Sequence, residues 1–161
     1  MEEHIRVLLG CLCLGAIIGC GEEPIAPGIQ PLVGRWQAPT EPLQPRGSLD
    51  RVLVITTDGR SESHVIGRGL YEGQAPGDLA AETVLYGRIL VRGSYFTVLP
   101  DSAVTHDLFY GPAHRSVQRD FSGSAPDSTR FEIRGNELDL QLYTYPDDAP
   151  ELTERTFTRV Q

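Results

Sequence analysis

Short stretches in which apolar and polar residues alternate dominate the sequence beyond residue 50. The clearest example is the range 82–92, where the apolar positions of one face are Leu85, Gly87, Ile89 and Val91. The range 137–145 alternates in the same way, and its apolar positions are Leu138, Leu140 and Leu142. An alternation of period two is typical of strands with one buried face. Because no range of ten or more residues has a helical period, apart from a single turn at 78–83, the pattern predicts an all-β fold.

Turn signals divide these stretches into sequential hairpins. Asp58-Gly59 follows the β-branched run 51–57, and Gly135-Asn136 separates two later strands. After a first strand that begins at Gly34, the predicted strands are 51–57, 64–71, 82–92, 95–99 (ending at Pro100-Asp101), 104–110, 130–134, 137–145 and 155–160, with a loop over 111–128. Sequential hairpins favour an antiparallel up-and-down β-barrel of about eight strands, because closure removes exposed edges. A Greek-key sandwich is the alternative.

An apolar run near the start of the chain ends at a cysteine. Residues 7–18 follow the basic residue Arg6, and they are too few for the ~20 residues of a transmembrane helix. The run ends in Ile17-Ile18-Gly19-Cys20, which resembles the lipobox of bacterial lipoprotein signal peptides. The resemblance implies that the chain is cut before Cys20 and that this cysteine carries acyl chains such as palmitate. A terminal apolar helix, or an ordinary secretory signal cut elsewhere, is the alternative.

This resemblance divides the chain into three parts and gives it a location. Residues 1–19 form the signal peptide, residues 20–31 the lipidated cysteine and a proline-rich tether, and residues 32–161 the folded domain. The residue after the cysteine is Gly21 and not Asp, which implies an anchor in the outer membrane of the cell envelope, facing the periplasm. All cysteines (Cys11, Cys13 and Cys20) precede the domain, so we expect no disulfide and no thiolate site in it.

The two ends of the predicted domain carry a second resemblance. Gly34-Arg35-Trp36 opens the first strand, and Arg159 lies in the last one. A Gly-X-Trp near the first strand and a late arginine are similar to the pattern of lipocalins and lipocalin-like calycins. The resemblance implies a lipocalin-like barrel over residues 32–161, with the Arg159 guanidinium stacked on Trp36 to close the barrel floor. Such stacking contributes roughly 0.5–2 kcal/mol.

Catalytic and metal-binding patterns are weak in this sequence. Asp101, His106, Asp107 and His114 form the only His/Asp cluster, and their spacing does not make them converge on a metal. The acidic residues Asp147, Asp148, Glu151 and Glu154 lack the spacing of a calcium loop. The serines have no nucleophile-elbow context. We therefore expect no enzyme activity, no metal and no cofactor.

Two functions remain open. In one, the barrel interior binds a small apolar ligand such as a fatty acid, through Leu85, Ile89, Val91, Leu138, Leu140 and Leu142. In the other, the interior is filled and the domain acts as a structural or assembly factor through protein–protein contacts. The formal net charge of −8 disfavours nucleic acid as a partner, and the membrane is reached through the lipid. The oligomeric state is not set by the sequence.

Overall fold

Strands make up most of the structure, a computed structural model that describes residues 28–110, 114–122, 127–144 and 150–161. The strands are β1 (Gly34–Gln37), β2 (Glu41–Pro42), β3 (Ser48–Ile55), β4 (Arg60–Arg68), β5 (Leu79–Arg92), β6 (Tyr95–Asp107), β7 (Arg115–Gln118), β8 (Ser128–Arg134), β9 (Glu137–Thr144) and β10 (Glu151–Val160). Single turns of 3₁₀ helix occupy Gln30–Leu32 and Leu108–Tyr110. Within the described ranges, no helix has the length and apolarity needed to cross a bilayer.

Eight of the strands close into an antiparallel barrel. Around the barrel the order is β1, β10, β9, β8, β6, β5, β4 and β3, and β3 pairs with β1 again. The closing strand β1 places Trp36 opposite Arg159 on one side and opposite Leu53 on the other. β2 extends the edge of β3, and β7 pairs with the second half of β6. The prediction of an antiparallel barrel of about eight strands is confirmed, and the sandwich alternative is wrong.

The two hairpins read from turn residues form where the sequence places them. Arg134 pairs with Glu137 across the Gly135-Asn136 turn. Ile55 pairs with Ser61 around Asp58-Gly59. Gly59 and Gly135 both have a positive φ, which a glycine adopts readily, so the turn residues suit these tight connections.

Three local predictions are wrong. β6 does not end at Pro100 but continues to Asp107, so the separate strand 104–110 does not exist. The register shifts at this point, because Gly87 pairs with Pro100 whereas Tyr86 pairs with Ser102. Such a bulge accommodates a proline, which has no N–H to donate to the ladder. The predicted loop 111–128 contains the short strand β7, and 78–83 belongs to β5 from residue 79 onwards rather than to a helical turn.

The core lies at the end of the barrel that holds Trp36. Its fully buried large side chains are Trp36, Ile29, Leu32, Ile55 and Leu138. Ile29 belongs to the range 20–31 that the sequence assigns to the tether, so the end of that range is part of the barrel. The 3₁₀ turn at Gln30–Leu32 brings Ile29 and Leu32 together beneath the strands, because Leu32 N–H donates to Ile29 O at 2.8 Å.

Candidate functional site

The floor of the barrel is built around Trp36. Its indole is fully buried, and its Nε1 donates a hydrogen bond to Leu32 O at 2.8 Å. The Arg159 guanidinium carbon lies 4.1 Å from the centre of the indole ring. The structure therefore brings together the two residues that the lipocalin-like resemblance implies would stack, and the contact has the geometry of a cation–π interaction.

Arg159 also ties the chain segment before β1 to the barrel. Its Nη1 donates to Val33 O at 2.6 Å, and its Nη2 donates to Pro31 O at 2.8 Å. Gly34 has a φ of +140°, and a Cβ at this position would lie 2.9 Å from Arg159 Nη1. The glycine of the Gly-X-Trp sequence is thus required both by its backbone angle and by the arginine above it.

A cavity of about 190 Å³ lies inside the barrel, above this floor. The apolar side chains around it come from six strands, and they include Leu53, Val65, Leu85, Phe96, Val98, Leu140, Leu142 and Phe157. Three of the predicted ligand contacts, Leu85, Leu140 and Leu142, line this cavity. The other three do not: Ile89 and Leu138 belong to the packed core and Val91 packs against it. The interior is therefore filled at the floor and open above it.

Interior glycines do not create this space. A Cβ on Gly87 would lie 2.5 Å from Leu99 O, and a Cβ on Gly67 would lie 2.5 Å from the Leu70 side chain. On Gly69 it would lie 2.8 Å from Pro76. These glycines allow close packing, which is one of the roles that a glycine within a strand can have.

Two arginines that the sequence analysis did not single out face the cavity. Arg51 lies on the same face of β3 as Leu53 and Ile55, and Arg155 lies on the same face of β10 as Phe157. Both arginines line the cavity. The signal that would have found them is the strand alternation itself, because each arginine occupies an inward position of a strand whose other inward residues are apolar.

The two guanidinium groups share one carboxylate. Arg51 Nη2 forms an ion pair with Glu41 Oε2 at 3.3 Å, while Arg51 Nε is buried without a hydrogen-bond partner. The pKa of Arg155 is lowered from its ordinary value, first by burial and then by repulsion from Arg51, and Glu41 offsets part of this effect. The arrangement therefore holds excess positive charge in a partly desolvated place.

The short first strand leaves an opening beside these arginines. β1 pairs with β10 only at residues 158–160, so residues 151–157 of β10 have no partner strand on that side among the described residues. A second cavity of about 210 Å³ lies at this gap. It is lined by Ala38, Pro39, Glu41, Arg51, Glu154, Arg155 and Thr156. Arg51 and Arg155 are common to both cavities, so they stand between the gap and the barrel interior.

The predicted His/Asp cluster does not assemble a metal site. Asp107 accepts hydrogen bonds from the Tyr71 hydroxyl and the Phe109 N–H, each at 2.9 Å, while His106 pairs across the sheet with Arg115. In the ranges that the structure describes, no three His, Cys, Asp or Glu side chains are grouped to hold a metal ion. Cys20 and the acidic pair Asp147-Asp148 lie outside the described residues.

The histidine of β4 lies on the outer face of the barrel. His64 Nδ1 is 3.1 Å from Glu82 Oε1, and its Nε2 is 3.3 Å from Glu62 Oε2. In strand register His64 stands between Val52 and Val84, on the side opposite the inward residues. Its two carboxylate partners hold the ring on that face, and the residue itself borders the cavity between Ser63 and Val65.

Comparison with known proteins adds one structure. No protein-family model and no curated protein matches the sequence. The chain is similar to the crystal structure of a lipoprotein YedD from Klebsiella pneumoniae subsp. pneumoniae MGH 78578, with a TM-score of 0.39 and 15% identity, over 86% of this chain and 76% of that chain. The description of the fold as a barrel follows from the strand pairs of this chain.

Proposed function

We propose that this chain is a non-enzymatic lipoprotein of the cell envelope whose barrel binds a small hydrophobic ligand. The cavity above the Trp36 floor is the observation that carries the proposal. The sequence Ile17-Ile18-Gly19-Cys20 supports a lipid anchor at Cys20, and Gly21 favours the outer membrane with the domain facing the periplasm.

The size of the cavity limits the ligand. An engineered apolar cavity of about 150 Å³ takes up benzene, whereas sites for drug-sized ligands occupy about 300–1,000 Å³. The cavity of about 190 Å³ therefore suits a small molecule or a short acyl segment of about eight carbons. Its apolar lining supplies the driving force, since burial of apolar surface stabilises by about 25 cal/mol per Å².

The polar side chains of the cavity wall favour binding over catalysis. They include Ser63, Thr129 and the two arginines, and His64 also borders the cavity but its ring lies between Glu62 and Glu82. A guanidinium remains protonated at neutral pH, so it binds anions but does not act as a general base. This chemistry supports the non-enzymatic function.

Mass spectrometry tests both parts of the proposal. Protein extracted from membranes should have the intact mass of a chain that begins at a triacylated Cys20, and Cys20→Ala should leave the membrane fraction. Native mass spectra of the domain produced without its covalent lipid anchor should show one bound hydrophobic molecule. Leu85→Phe, which fills the cavity, should lose this molecule, whereas Leu90→Phe on the outer face of the same strand should keep it. An empty barrel in native spectra would contradict ligand binding.

An exposed patch on β5 and β6 favours the alternative function, a structural or assembly factor. Leu90, Tyr95 and Leu99 lie close together on the outer face, and they are 46%, 48% and 37% exposed. Exposed apolar groups of this kind often mark protein interfaces. In this case, Leu90→Glu should abolish cross-linking to an envelope protein, while Leu85→Phe should leave cross-linking unchanged.

A further inference from the structure

The gap between β10 and the β2–β3 edge gives the barrel interior a specific electrostatic character. Arg51 and Arg155 stand where the outer cavity meets the inner one. We propose that Arg51 and Arg155 bind the anionic headgroup of a ligand whose short apolar tail lies in the barrel cavity. The inference rests on the proposed ligand-binding function and names the class of ligand: a carboxylate or a phosphate monoester that carries a short alkyl chain.

The two arginines have hydrogen-bonding capacity that the protein does not use. Arg51 makes one ion pair, to the half-exposed Glu41, and its Nε has no partner. Arg155 forms no hydrogen bond or ion pair with any described residue. Buried donors without partners are costly, and an ionised acceptor is the group that satisfies a guanidinium best. The arrangement is therefore complementary to an anion.

The neighbouring acidic side chains leave this positive charge in place. Glu41 neutralises one of the two guanidinium groups at most. Glu154 also borders the gap, but strand alternation directs it to the opposite face of β10 from Arg155. It accepts a hydrogen bond from Gln141 Nε2 at 2.7 Å, on the outer surface. The inward side of the gap therefore keeps a net positive charge within a chain whose formal charge is −8.

The outer grooves of the barrel lack this combination. The groove over β8, β9 and β10 has a volume of about 320 Å³ and also borders Arg155, but its lining is mostly polar and several of its other charged side chains bind one another. Arg134 there pairs with Glu132 at 2.9 Å and with Asp139 at 3.4 Å. Only at Arg51 and Arg155, among the described residues, do guanidinium groups border an apolar cavity inside the barrel.

The geometry divides the ligand between two environments. Planar guanidinium groups bind carboxylate and phosphate oxygens in a bidentate manner, which fixes the headgroup at the gap. Leu85, Leu140 and Leu142 line the inner cavity but not the outer one at the gap, so they are the residues that would contact the tail. The charged end therefore stays at the opening, where water remains accessible, and only the tail is desolvated.

Calorimetric titration of matched eight-carbon ligands tests this inference. The protein is the chain from Gly21 onwards, which keeps every strand and every core residue described above, so no detergent is needed. The ligands are sodium octanoate, octyl phosphate, 1-octanol and inorganic phosphate. They separate the contributions of headgroup and tail, and they separate a carboxylate from a phosphate headgroup.

At least one of the two anionic ligands should bind about tenfold more tightly than 1-octanol, because charge-assisted hydrogen bonds are the stronger kind. Arg51→Gln and Arg155→Gln should each remove this preference and leave the affinity for 1-octanol within about twofold. Arg88→Gln, an exposed arginine on the outer face of β5, is the matched control and should bind as the wild type does. If Arg51→Gln fails to fold, Arg51→Lys retains the charge and should keep part of the preference.

Three outcomes overturn the inference. Equal affinity of the anions and 1-octanol would show an apolar site without a headgroup contact, and the proposed function would survive. Inorganic phosphate binding as tightly as octyl phosphate would show a small-anion site without a tail. Failure of all four ligands to bind would overturn both this inference and the proposed binding function.

Discussion

The two halves of the barrel interior are built from different interactions. The floor packs four fully buried large side chains with the buried Trp36, and Arg159 there donates two hydrogen bonds and stacks on the indole. Above it, the walls enclose a cavity and hold two guanidinium groups with a single carboxylate between them. The floor has the features of a region that stabilises the fold, whereas the upper half has the features of a site, where stability is given up for binding.

Two arginines of one strand show this difference most directly. Arg155 and Arg159 lie four residues apart on the same face of β10. Arg159 donates two hydrogen bonds and covers an indole, while Arg155 is partly desolvated beside another cation. We therefore expect the same side chain to contribute to stability at one position and to oppose it at the other. The comparison can be tested by removing the interactions of each half in turn.

Removal of the floor should have the largest effect. Trp36→Ala deletes a fully buried indole and should lower the free energy of unfolding by about 3–5 kcal/mol. Tyr143→Ala removes an aromatic ring that is 52% exposed and should lower it by less than about 0.5 kcal/mol. Urea denaturation followed by circular dichroism measures both. A similar loss in the two variants would mean that the floor is not the main source of stability.

Replacement of the floor arginine should have the next largest effect. Arg159→Leu removes the two hydrogen bonds and the stacking on Trp36, and it should lower the free energy of unfolding by about 2 kcal/mol. Arg35→Leu changes the exposed neighbouring position of Trp36 in β1 and should alter the free energy by less than about 0.5 kcal/mol. If both substitutions have the same effect, the contacts of Arg159 do not stabilise the barrel.

The same substitution in the upper half should not lower the free energy of unfolding. Arg155→Leu removes a partly desolvated charge beside Arg51, so the free energy of unfolding should stay constant or rise by up to about 1 kcal/mol. The melting temperature without ligand, measured beside that of Arg159→Leu, gives the sign. A clear decrease for Arg155→Leu would show that this arginine has a structural role that the described contacts do not include.

The smallest expected effect on stability comes from the carboxylate of Asp50, on the outer face of the upper half. Thr40 Oγ1 donates to Asp50 Oδ1 at 2.6 Å, and Arg68 Nε donates to Asp50 Oδ2 at 2.9 Å. The Thr40 hydrogen bond, followed by the contact with Arg68, lowers the pKa of Asp50 below its ordinary value of 3.8. A lowered pKa means that the carboxylate contributes stability above about pH 4 and loses it as the pH falls through the folded pKa.

Acid unfolding should therefore depend on this group. Asp50→Asn should reduce the loss of stability between pH 5 and pH 2 by less than about 1 kcal/mol, since the contact lies at the protein surface. Thr40→Val, which removes the largest cause of the shift, should reproduce part of this change. Urea midpoints along the pH series give the result, and an unchanged pH dependence in Asp50→Asn would exclude the effect.

The barrel could be predicted from sequence because local patterns determine its strands and hairpins, whereas the contact of Trp36 with Arg159 was expected only from the resemblance, and Ile29 was assigned to the tether. Alternation placed the leucines of β9 and the apolar residues of β5 inside, and Gly135-Asn136 fixed a hairpin. The end of β6 was misplaced because a proline usually ends a strand, whereas here a bulge opposite Gly87 accommodates it. Such a bulge depends on the partner strand, which local sequence does not contain.

The upper half could be predicted only in part. Leu85, Leu140 and Leu142 were identified, but Arg51 and Arg155 were not, because charged residues in strands usually face water. Their inward position follows from the register that Leu53 and Phe157 impose on their strands. The gap itself follows from the length of β1, which is four residues while β10 has ten, and no local signal predicts that difference.

The pairing of β1 with β10 brings the start and the end of the domain to the floor of the barrel. Gly28 lies there too, because a Cβ on it would be 3.3 Å from Val91, next to the β5–β6 turn. If Cys20 carries the anchor, seven residues lie between it and Gly28, and the eight Cα–Cα steps of about 3.5 Å allow a reach of less than about 30 Å. The floor would then face the membrane, and the arginine gap would open farther from it. A ligand would consequently arrive from the aqueous compartment or from a carrier within it, rather than directly from the bilayer that holds the protein.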